Sequence, residues 1–127
     1  MDWEYVIVKH RRLISVRASG KFSPASFEEM IKDIQSDKEW QPGLDRFLDF
    51  SRVDFSTTTA DEIRIAAEIH FRYDSRIGSG RIGVVFGREA DFGLGRLYET
   101  FLEAKVHATV KSFMTADEAR QWIAGYS

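Results

Sequence analysis

The sequence predicts a single α/β domain built on a mixed sheet, and three observations predict it. Two β-rich runs open the chain, separated only by 10-HRR-12, which reads as a tight hairpin. From there strand-like and helix-like segments alternate strictly, giving the order β-β-α-β-α-β-α-β-α. Such alternation implies parallel strands joined by right-handed crossovers. The run 82-IGVVF-86 is nearly continuous and apolar, as expected of a strand covered on both sides.

Each element has its own local reason. Trp3 to Lys9 and Leu13 to Ser19 are the hairpin strands. In the second, Ile14, Val16 and Ala18 alternate with Leu13, Ser15 and Arg17, so one face is better buried. A helix start follows in 22-FSPASFEEMI-31. Ser23 is a good N-cap, Pro24 suits the first helical position, and Phe22 and Phe27 sit where a hydrophobic staple forms. Phe27, Met30, Ile31 and Ile34 make its apolar stripe, and Trp40, Pro42 and Gly43 close the segment. Leu44 to Phe50 is the third strand. The second helix runs from about Ala60 to Tyr73, with Ile63, Ala66, Ala67, Ile69, His70, Phe71 and Tyr73 on one wide arc. Arg64, Glu68 and Arg72 lie opposite. The turn-rich 74-DSRIGSG-80 leads into the fourth strand. Leu94, Leu97, Tyr98, Phe101 and Leu102 then fall at helical spacing. His107 to Phe113 is the fifth strand, and Thr115 to Ala124 a last helix with Thr115 and Glu118 in capping-box positions and Gly125 as a stop.

Composition narrows the function classes. With 127 residues, 43% hydrophobic and 30% charged, residues 1–127 form one globular domain without repeats or linkers. A net charge of −2 is not the basic footprint of a nucleic-acid binder, so no nucleic acid is expected. The absence of cysteine excludes disulfides, thiolate catalysis and Cys-based zinc sites. The first residues lack a signal-peptide layout, and no apolar run approaches the ~18 residues of a membrane span, so a cytoplasmic location is expected.

The element order, the entry 14-ISVRASGKFSPASFEEMI-31 and the stretch 47-FLDFSRVDFSTTT-59 resemble the SpoIIAA-like domains. These comprise STAS domains, the anti-sigma-factor antagonists among them, and the STAS/SEC14-type bacterial proteins. The blocks 81-RIGVVFGREADFGLGRLYETF-101 and 107-HATVKSFMTADEARQWI-123 look like the latter group. The resemblance covers nearly the whole chain. It implies a SpoIIAA-like fold: a five-stranded mixed sheet, first hairpin antiparallel, then parallel strands in sequential order, with helices mainly on one face. In the antagonists an L-D-L-S strand precedes an Asp-Ser-Ser-Gly motif whose first Ser is phosphorylated. Here 48-LDFS-51 matches the strand. Thr57 falls on the Asp, Thr58 on the phosphoacceptor, Thr59 on the second Ser and Ala60 on the Gly. The resemblance thus points to Thr58 as a phosphoacceptor while the flanking Asp and Gly are absent. The STAS/SEC14-type proteins have no clearly established activity.

Several residues carry both a structural and a functional reading. Thr59 with Glu62 three positions on is a capping box, which accounts for one hydroxyl of 56-STTT-59. A phosphate on Thr58 would add about −2 charge at the positive end of a helix. In 87-GREADFGLGR-96, Gly93 and Gly95 are each unfavourable within a helix, so either close packing or close approach of a ligand favours them. The spacing is neither a Walker loop nor a dinucleotide fingerprint. Ligands of parallel sheets gather at the carboxyl ends of strands. Thr57, Thr58, Arg88, Gly93, Gly95 and Arg96 are therefore the expected ligand or partner rim. His70, on an apolar arc, reads as a hydrogen-bonded core histidine or a ligand contact. Asp49, inside an apolar strand, needs a partner such as a loop amide. No histidine pair has ligand spacing, so no metal is expected.

No catalytic constellation and no cofactor motif is present, so neither catalytic residues nor cofactors are expected. The expected role is a non-enzymatic regulatory or protein-interaction module, with an unknown protein partner. A homodimer through a half-exposed sheet face is a further expectation. The alternative is a small-molecule or lipid-binding domain, with a pocket between the second and third helices lined by Phe71, Phe92 and Tyr98.

Overall fold

In the computed structural model, which describes residues 1–125, five strands form one sheet in the order β1-β2-β3-β4-β5. The strands are β1 (Asp2–Val8), β2 (Leu13–Lys21), β3 (Asp45–Asp54), β4 (Arg81–Val85) and β5 (Thr109–Phe113). β1 and β2 pair antiparallel, with Tyr5 opposite Val16, and every later pair is parallel. The helices are α1 (Pro24–Gln35), α2 (Ala60–Ile77), α3 (Glu89–Leu102) and α4 (Ala116–Ile123). This is the mixed sheet that the alternation of elements predicts, with the sequential strand order that the resemblance implies.

The alternating patterns sort the two faces. Ile14, Val16 and Ala18 of β2 are fully buried beneath α1, together with the α1 stripe Phe27, Met30, Ile31 and Ile34. α2 and α3 cover the rest of that face. Ser23 accepts from the Ser26 amide at 3.1 Å, and the Phe22 and Phe27 rings lie 6.0 Å apart as the staple requires. α4 packs alone on the opposite face, where Ala119 is fully buried beside Phe47, Val85 and Phe113. β4 is thus covered on both sides, which explains its continuous apolar run.

The structure departs from the sequence reading in five places. First, β1 ends at Val8 rather than Lys9: inside the tight hairpin Lys9–Arg11 form one 3-10 turn, closed by Arg12 in the left-handed region at φ 50°. Second, β3 runs to Asp54 rather than Phe50. The register against β2 shifts by one residue between Arg17 and Ser19, a β-bulge that interrupts the period-two pattern and hides the strand's second half. Asp49 serves that bulge, accepting from the Ser51 amide at 3.1 Å and its hydroxyl at 2.6 Å. Third, α2 continues to Ile77, one more turn of its buried face, and stops at Gly78 with φ 78°. A Cβ on Gly78 would lie 2.4 Å from the Gly43 amide nitrogen, so the close crossing of these two loops needs glycine. Fourth, β5 starts at Thr109, because His107 is held outside it by Asp74, through the amide at 2.9 Å and through Nδ1 at 2.5 Å. Fifth, Phe71 lies off the buried arc and is 37% exposed.

Candidate functional site

A cavity of about 60 Å³ lies between the sheet and helices α1, α2 and α3. Leu48, Phe50, Ile82 and Val84 form its floor, Ile63 and Ala66 one wall, and Leu94 another. Its position is a consequence of alternation: the side chains of β3, β4 and β5 that face the helices meet there. Among its lining residues only Arg46, His70 and Tyr98 carry polar side chains.

Arg46 opens β3 and shares its face with Leu48 and Phe50, so the pleat carries a guanidinium into the core. It is 3% exposed. The guanidinium stacks 4.5 Å from the Trp40 ring centroid, and among the described residues no carboxylate forms an ion pair with it. Burial pushes its pKa down to about 10, which still leaves it charged at neutral pH. Nε and Nη2 are buried without a hydrogen-bond partner.

His70 is 2% exposed, and its Nδ1 lies 3.0 Å from the Tyr98 hydroxyl. Burial, followed by the charge of Arg46, lowers its pKa to about 4, so the imidazole is neutral at pH 7. Its Nε2 is also without a partner. Burial raises the Tyr98 phenol above its ordinary range, so it too stays neutral. The cavity therefore presents one cation, a neutral imidazole and a neutral phenol in an apolar wall. The histidine is hydrogen-bonded in the core as one sequence reading has it, but through only one of its nitrogens.

The expected pocket lining is corrected by this geometry. Tyr98 lines the cavity, whereas Phe71 points to the surface and Phe92 only packs, half-buried, against the core. The cavity is floored by the sheet, through Leu48, Phe50, Ile82 and Val84, and is not confined to the space between α2 and α3.

Several residues of the expected rim have structural parts of their own. Thr59 is the α2 cap: it accepts from the Glu62 amide at 3.1 Å, and Glu62 accepts from the Thr59 amide at 3.0 Å. The Thr58 amide donates to the Phe55 carbonyl at 3.0 Å, and its side chain is half-exposed, while Thr57 is exposed. The strand ends do adjoin, since the Phe55 and Phe86 rings lie 5.7 Å apart and the charge of Arg88 helps hold the Asp54 carboxyl low, after hydrogen bonds from Ser56. Arg88 itself pairs at 4.0 Å with Asp91, and Arg96 pairs at 3.9 Å with Glu99 over β5. Gly95 is explained by packing: a Cβ there would stand 2.4 Å from the Phe86 ring and 2.5 Å from Ser112 Oγ. Gly93 has nothing within 4 Å, and nothing in the structure explains it.

Sequence reasoning missed Arg46. A signal was present: in 46-RFLDF-50 the alternation places Arg46 on the side of Leu48 and Phe50. Reading the strand from Leu44 as an apolar run with one carboxylate drew attention to Asp49 instead. Trp40, 8% exposed, lies at the same place and stacks on the Arg46 guanidinium.

No family model matches this chain, and no curated protein matches it. Among solved structures it is similar to an uncharacterized protein of the DUF3478 family with a SpoIIAA-like fold, from Shewanella loihica PV-4. The TM-score is 0.57 at 15% identity, over 87% of this chain and 83% of the other. At that identity the likeness shows the fold: the chain has a SpoIIAA-like α/β fold.

Proposed function

We propose that this SpoIIAA-like domain is a non-enzymatic binding module that takes a small ligand into the cavity between the sheet and α1, α2 and α3. One observation carries the reading: an apolar cavity holds a buried cation without a counter-charge. An uncompensated buried charge costs several kcal/mol, so a site that retains one is built for something beyond folding. The absence of any carboxylate, serine or threonine among the lining residues favours binding over chemistry. Methyl NMR during titration with neutral cavity-sized probes, xenon and 1-butanol, tests this. Saturable shifts at Leu48, Val84 and Leu94 are expected, and shifts absent or scattered over the surface would refute it.

A second reading, the regulatory or protein-interaction module, is favoured by the other face of the sheet. α4 covers only part of it, and an open groove of about 770 Å³ runs beside that helix past Val6, Val8, Leu13 and Phe47. Val6 is 57% exposed. This face would carry the homodimer, with Thr58 as the site of a charge switch at the other end of the molecule. Light scattering across a concentration series tests it, and a concentration-independent monomer would remove the homodimer.

A further inference from the structure

Among the described residues, the buried side-chain atoms without a partner are Gln35 Nε2, Trp40 Nε1, Arg46 Nε and Nη2, and His70 Nε2. All are nitrogens, four of them obligate donors as placed, so the missing partner is an acceptor. Two of the five belong to one guanidinium, and they form a single edge. Nε–H and Nη2–H point the same way and are spaced to meet the two oxygens of a carboxylate. Trp40 covers the flat face of that guanidinium, which leaves the edge as its binding surface.

We propose that the cavity binds a small monocarboxylate, its two oxygens on the Nε–Nη2 edge of Arg46 and its alkyl part against the apolar wall. This rests on the reading of the cavity as a ligand site and adds the chemical class of the ligand. The size follows from the volume. About 60 Å³ holds roughly four to six water-sized groups, which matches acetate, propionate and butyrate. The charge follows from the unpaired guanidinium, which a single anion neutralises. The neutral His70 and Tyr98 add no second cation, so a dianion such as phosphate would be left half-compensated. Leu48 and Val84, two residues further along β3 and β4 than the Arg46–Ile82 pair, continue the apolar floor beyond the guanidinium, where an alkyl group displaces water without losing hydrogen bonds.

The test is an NMR titration of the whole chain in chloride-free buffer, following the Arg46 Nε–H resonance and the cavity methyls. Propionate is compared with propionamide, which has the same size and no charge. Propionate should bind at least about tenfold more tightly, as a charge-assisted bidentate pair implies. Arg46→Met should abolish that preference, and Arg46→Lys, which keeps the charge without the edge, should weaken propionate about tenfold. If propionate and propionamide bind equally, the carboxylate assignment falls while the cavity remains a ligand site. If neither binds, both fall, and internal water satisfies Arg46. If chloride shifts the Nε–H as strongly as propionate does, the site takes inorganic anions and the carboxylate assignment is overturned. The wild-type comparison stands even if a variant misfolds.

Discussion

Replacing Gly95 and Gly93 separately by alanine should shift stability in opposite directions, although both lie inside α3. Alanine is preferred over glycine in a helix interior by roughly 0.8–1 kcal/mol, and each variant gains this. At Gly95 the added methyl would lie 2.4 Å from Phe86 Cε2, 2.7 Å from Cζ and 2.5 Å from Ser112 Oγ. Carbon contacts are comfortable at about 3.5–4.0 Å, so either the ring retreats by about an ångström or α3 lifts off the sheet. Phe86 is 5% exposed, packs against Phe55 and borders the cavity, so a retreating ring gives up its packing and intrudes on that space. Overpacking of this kind costs about 1–3 kcal/mol, and two hard contacts place Gly95 in the upper half. The net expectation is a loss of about 1–2 kcal/mol for Gly95→Ala. At Gly93 there is no atom to meet, so Gly93→Ala should gain nearly the full helix preference. Urea denaturation followed by tryptophan fluorescence measures both. The two variants should differ by about 2–3 kcal/mol. Equal stabilities, or a Gly95→Ala protein at least as stable as the parent, would refute the packing account. The consequence reaches the cavity, because α3 holds Tyr98 against His70 from one turn beyond Gly95.

Other expectations follow from the same geometry. Arg46→Met removes an unpaired buried charge while keeping its volume, so the apo protein should become more stable by about 1–3 kcal/mol despite losing the contact with Trp40; calorimetry showing a destabilised variant would mean that Arg46 is satisfied within the fold. His70 has a folded-state pKa of about 4 against an ordinary 6.5. The unfolded chain therefore takes up the proton first. The contribution of His70 is intact above pH 6.5 and is lost as pH falls toward 4, at up to about 1.4 kcal/mol per pH unit. Urea midpoints from pH 7 to 4.5 should fall accordingly, and His70→Gln should flatten that slope. Thr59→Ala breaks the α2 capping box and should cost about 1 kcal/mol by the same denaturation assay; a value near zero would mean that solvent serves those amides equally well.

Local chemistry carried much of the fold. The α1 staple and cap, the α2 capping box and the buried stripe of α1 depend on residues a few positions apart, and they form where the spacing places them. Where the reading erred, a distant partner had intervened. β3 lost its pattern at a bulge set against β2, and α2 gained a turn because Ile77 had core to enter. His107 left β5 because Asp74, thirty-three residues earlier, holds its amide and ring. The expected rim gathered residues by their position after strands, yet Arg88 and Arg96 found carboxylates three residues along their own helix.

By itself, then, the sequence determined the α/β class, the hairpin followed by alternating strands and helices, the helix caps and most of the buried faces. Those properties follow from period, propensity and capping, all short-range. Only the tertiary structure decided which polar atoms are buried without a partner. Arg46, His70 and Tyr98 come from β3, α2 and α3, and they share a cavity because the parallel sheet brings those elements over one another. Whether a buried donor has a partner depends on every element around it, and no spacing along the chain encodes that.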